Sequence, residues 1–247
     1  MKSSNPIFSR EYDKGLSSLQ GPMTVNGAIN KTFLLGLIVV ISAAITVNAI
    51  FTGAIPQQSL QAVLIGSGIL GFVLALITVF NPMKANLWGS LYAIAEGVFV
   101  GGVSLIFEMM YPGIVLQAIG GTFCALFAML ALYKMKLIRA TEKFRSTIFI
   151  AAAAIALLYL VNFIGNWVSF LHIPMISDST NMGIAFTGIV CVVAALNLII
   201  DFDNIEEGVN RQLPKETEWY MAFGLIVTLV WLYFEILRLL AKLRSRD

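Results

Sequence analysis

The chain has 247 residues, 58% of them hydrophobic and only 12% charged, with a formal net charge of +2. Water-soluble domains carry about 25% charged residues, so a soluble enzyme or soluble binding module is excluded and an all-α integral membrane protein is expected. The basic residues border apolar runs, which leaves no basic face for nucleic acid.

Taken in order, residues 1–32 read as a polar cytoplasmic leader with Lys2, Arg10, Lys14 and Lys31. No cleavable signal peptide is visible, because the first apolar run follows this leader and is too long for a signal segment. Seven apolar runs follow, at 33–55, 60–80, 87–107, 113–133, 147–170, 182–200 and 218–240. Each is close to the roughly 20 residues that cross about 30 Å of hydrocarbon. Pro56, Asn81-Pro82 and Pro112-Gly113 mark turns between them. A polar connector is expected from Asp203 to Thr217. The predicted domains are the leader, one transmembrane bundle over 33–240, and a basic tail at 241–247. Gly66, Gly68 and Gly71, and the Gly97/Gly101 pair, mark places where a neighbouring helix can approach closely.

Lysines and arginines predict orientation. With the N-terminus in the cytoplasm, the inner loops collect the leader, Lys84, the cluster Lys134, Lys136, Arg139, Lys143 and Arg145, and then Arg211 and Lys215. The seventh segment leaves two possibilities. A full crossing puts Lys242, Arg244 and Arg246 outside; a re-entrant segment keeps them inside. The first six segments set orientation early, which favours the full crossing.

Few ionisable residues lie in the spans. Glu96 sits near the middle of the third, where an unpaired charge costs roughly 2.5 kcal/mol or more. It must be protonated, hydrogen-bonded or turned to water. Asp201 and Asp203 close the sixth span, with Asn197 one turn before Asp201 on the same face. The bland reading is a solvated helix end. The functional one is an acidic cluster, since carboxylates ligate hard cations or share a proton. At i and i+2 the two aspartates diverge and cannot both point into one site. Glu235 and Arg238, at i and i+3, can pair on one face of the last segment. His172 reads as a solvated loop residue, Cys124 and Cys191 as packing residues, and Trp88, Trp167, Trp219 and Trp231 mostly as interface anchors. No nucleophile–base pair is evident, so no enzyme is expected.

The glycine-rich third span around Glu96-Gly97, the I-D-F-D-N-I end of span six and the L-Y-F-E-I-L-R-L-L tail together resemble the Bax inhibitor-1 family. The chain is most similar to its bacterial YccA-like branch. The resemblance covers roughly 33–240 and implies a seven-transmembrane-helix bundle with the last helix central. It also implies a pH-sensitive calcium leak, gated by an aspartate of helix six and an acid of helix seven that share a proton. Asp201 and Glu235 occupy those positions and are the candidate calcium ligands. Glu96, Asp203, Asn197 and Arg238 are the other candidates for the ion path. No cofactor is expected beyond calcium or another cation as the transported ion. The location implied is the bacterial inner membrane, in contact with the lipid bilayer. The alternative is a non-transporting regulator that binds other membrane proteins, such as a membrane-bound protease, through the polar leader.

Overall fold

The computed structural model describes residues 21–167 and 178–246. Most of the leader, and the loop residues His172 and Pro174, lie outside them. Among the described residues the chain forms seven long helices: α1 Val25–Phe51, α2 Gln57–Phe80, α3 Ala85–Met110, α4 Ile114–Lys134, α5 Glu142–Trp167, α6 Asn181–Asn210 and α7 Thr217–Arg244. All seven are long and apolar enough to cross a membrane. Large side chains such as Phe33, Leu116 and Phe149 are 73–75% exposed, as lipid-facing positions are in a multi-pass bundle. Within their apolar windows α3, α6 and α7 are 44%, 50% and 44% buried, against 11–22% for the other four. The last helix therefore shares the most enclosed positions with α3 and α6.

The helices contribute to two compact units. The first comprises residues up to Gly102 with Asn204–Gly224. In it α1 starts at Val25, upstream of the expected Phe33, because its polar first turns have partners. Thr24 caps the helix by accepting the Gly27 N–H at 2.9 Å. The Thr24 N–H donates to Glu218 Oε1 at 2.8 Å, and Lys31 forms an ion pair with the same carboxylate. Glu218 is fully buried, and a Cβ on Gly27 would overlap its carboxylate. Further along, a Cβ on Gly97 would sit 2.5 Å from the Val39 carbonyl, and one on Gly101 2.6 Å from that of Ala43. The glycine pair thus lets α3 lie directly on α1, where the Ser42 hydroxyl donates to the Ile94 carbonyl at 2.8 Å. In α2, Gly68 and Gly71 meet Phe99 and Glu96 of α3, while Gly66 faces open space.

The second unit comprises Val103–Asp203 and Leu225 to the C-terminus. Here α6 departs from expectation. It does not stop with the apolar run at Ile200 but continues to Asn210, so Asp201 and Asp203 lie within a helix. Side-chain partners for both, and a Glu207–Arg211 pair one turn apart, let the helix outrun its apolar stretch.

The C-terminal end of α7 is stitched to the start of α6. Lys242 donates to the Gly183 carbonyl at 3.2 Å, Arg246 to Asn181 at 2.5 Å, and Ser245 to Ser179 at 2.5 Å. Arg244 donates to the Pro112 carbonyl at 2.8 Å and to Gln117 at 3.0 Å. Within this unit α7 therefore runs antiparallel to α6, and its 28 residues are long enough for a full crossing. Three cations of the basic tail, Lys242, Arg244 and Arg246, are thus held by polar groups at that end.

Candidate functional site

Asp201 projects from α6 towards α7, where the Thr228 hydroxyl donates to its carboxyl. Asn197, one turn earlier, donates its amide N–H to Thr228 Oγ1 at 2.9 Å. The i, i+4 spacing thus places both polar residues of α6 on one hydroxyl of α7. The remaining oxygen, Asp201 Oδ2, is enclosed and accepts no hydrogen bond. Glu216 Oε2, in the connector before α7, is the other such oxygen among the described residues. An enclosed carboxylate oxygen without a donor is costly when charged, so Asp201 has a position open for a proton or a cation.

Glu235 belongs to a different cluster. It is 1% exposed and accepts from the Tyr159 hydroxyl of α5 at 3.0 and 3.1 Å. Arg238 donates to the same carboxylate at 3.2 Å and to the Tyr159 oxygen at 2.6 Å. Its guanidinium also lies 4.8 Å from the centre of the Tyr159 ring, a cation–π contact. The acid is therefore neutralised on its own helix, as the i, i+3 spacing allows. The expected Asp201–Glu235 pair is not formed. Thr228, which meets Asp201, lies two turns before Glu235, roughly 10 Å along the helix axis. No hydrogen bond joins the two carboxyls, and their polar partners are different.

Asp203 diverges from Asp201, as the i and i+2 spacing requires. It accepts from the Tyr133 hydroxyl at 3.2 Å and forms an ion pair with Arg145. Glu96, in the first unit, turns its Oε2 to Gly71 of α2, while Tyr92 one turn earlier hydrogen-bonds its carboxyl. A Cβ on Gly71 would lie 3.1 Å from that oxygen. Among the described residues no three Asp, Glu, His or Cys side chains converge as a metal site. A bound cation would have to complete its shell with hydroxyls, amides, carbonyls or water.

The model of the Bax inhibitor 1 like family matches residues 5–245, nearly the whole chain. The chain belongs to the Bax inhibitor-1-like family. Comparison with curated proteins returns no match. For this member of the family, the sequence named neither Thr228 nor Tyr159 as a polar partner, and it read Arg145 and Lys31 only as loop and leader cations, without their partners Asp203 and Glu218. The signal was present for two of them: Tyr159 and Thr228 are isolated polar residues inside apolar runs. For Lys31 and Glu218 there was none, since each stands at a span edge where a solvated charge is ordinary.

Proposed function

We propose that this Bax inhibitor-1-like protein is a pH-sensitive cation leak of the bacterial inner membrane, with the N-terminus cytoplasmic and calcium the expected ion. The observation that carries the reading is Asp201 Oδ2, a carboxylate oxygen enclosed among membrane helices with no donor. Ionisable groups within spanning segments mark ion or proton paths by default. Family membership, matched over residues 5–245, supports the same reading.

The mechanism differs from a proton shared by two acids. Glu235 already has a counter-ion, so it serves as a fixed anchor between α5 and α7. Asp201 is the group that changes charge. Protonated, it is neutral and holds no cation. Deprotonated, it places a negative charge between α6 and α7, next to the Thr228 hydroxyl, and carboxylate and hydroxyl oxygens are hard-cation ligands by type. The leak should therefore rise with pH. No nucleophile or general base is needed, which makes transport a better reading than catalysis.

The test is calcium entry into proteoliposomes holding the purified chain, measured on either side of neutrality. The expected result is an influx that grows with pH and is absent from protein-free vesicles. No flux at either pH would contradict the proposal and favour a regulator that acts by binding other membrane proteins.

A further inference from the structure

We propose that the loop joining α4 and α5 is a binding site for anionic phospholipid headgroups, held in place through Asp203. Lys134, Lys136, Arg139 and Lys143 are all exposed, and none takes part in the ion pairs of the described residues. Glu142 is the one acid among them. Met135 and Leu137 alternate with the first two lysines and are 67% and 66% exposed. The loop follows directly on the apolar α4 and precedes α5, so it lies at a membrane boundary. Apolar side chains there can enter hydrocarbon while neighbouring cations meet phosphates.

A solvated basic run would be the ordinary account of such a loop, but two observations go against it. The first is the backbone. The Leu137 N–H bonds back to the Leu132 carbonyl at 3.1 Å and the Lys136 N–H to that of Tyr133 at 2.9 Å. This is the Schellman ending of a helix, whose left-handed position favours glycine. Here Lys136 occupies it at φ 57°. A lysine at this position carries a backbone cost that glycine would not. The second is the attachment. Tyr133, at the end of α4, and Arg145, in the first turn of α5, both bind the Asp203 carboxylate. Both shoulders of the loop are thereby fixed to α6, which confines the four exposed cations to one short tethered stretch of chain. Such clusters beside a membrane helix attract anionic lipid by about fivefold per charge. The binding does not depend on the leak proposed above.

The experiment compares lipid retained by the purified full-length protein from vesicles of phosphatidylcholine mixed with phosphatidylglycerol, counted by native mass spectrometry. Wild type should retain phosphatidylglycerol in preference. The quadruple variant K134Q/K136Q/R139Q/K143Q should lose that preference, and the matching change of the three lysines to arginine should keep it. Lys136→Gly separates binding from folding: it should hold or raise thermal stability while weakening phosphatidylglycerol retention about fivefold. The proposal is overturned if the quadruple variant, folded, retains wild-type preference. It is equally overturned if millimolar inorganic phosphate displaces the lipid, which would make the loop a free-anion site.

Discussion

Tyr159 stands between an acid and a base: its hydroxyl donates to Glu235 and accepts from Arg238, while its ring lies beneath the guanidinium. At the scale of single residues this ties Glu235 to α5 and to its own helix. Breaking a buried ion pair by removing one partner costs about 3–5 kcal/mol. Arg238 is a third exposed, so a lower figure of roughly 1–3 kcal/mol is expected for Glu235→Gln. Thermal unfolding in detergent would measure it. Tyr159→Phe should cost less, about 1 kcal/mol, since the ring contact and the ion pair both survive. The pairing of Glu235 with Arg238 was legible from their spacing. The third partner was not, because Tyr159 is distant in sequence and only the fold brings α5 beside α7.

At the scale of elements, seven apolar runs gave seven helices because each is long enough to cross and none contains a proline in its middle. Their ends were less legible. Helix α1 begins among polar residues because Glu218, from the far end of the chain, binds both the Thr24 N–H and Lys31. Helix α6 runs past Ile200 because Thr228 and Arg145 receive its two aspartates. Hydropathy cannot reveal either, since both depend on partners supplied by other helices. The glycine pair on α3 was legible, and its consequence can be tested. Gly101→Leu should drive α3 from α1 and destabilise the protein by about 1–3 kcal/mol or prevent folding. Gly66→Ala, facing open space, should leave stability unchanged or slightly improved. Parallel thermal unfolding of the two variants checks both outcomes.

For the whole molecule, α7 ends beside the start of α6, whereas the loop between α4 and α5 is fixed near the other end of α6 at Asp203. Lys143 and Ser245 should therefore lie on opposite sides of the membrane. An impermeant thiol reagent applied to intact cells should label Ser245→Cys and spare Lys143→Cys. Labelling of both from one side would contradict the full crossing. Asp201 and Glu235 have different polar partners, and the proposed leak rests on a change of charge at Asp201. The most direct measurement is the pH profile of calcium flux for Asp201→Asn and Glu235→Gln, singly and together. The prediction is that Asp201→Asn flattens the profile, while Glu235→Gln preserves its slope and lowers only stability. A profile flattened as fully by Glu235→Gln, with no further change in the double variant, would contradict it and establish a proton-sharing pair.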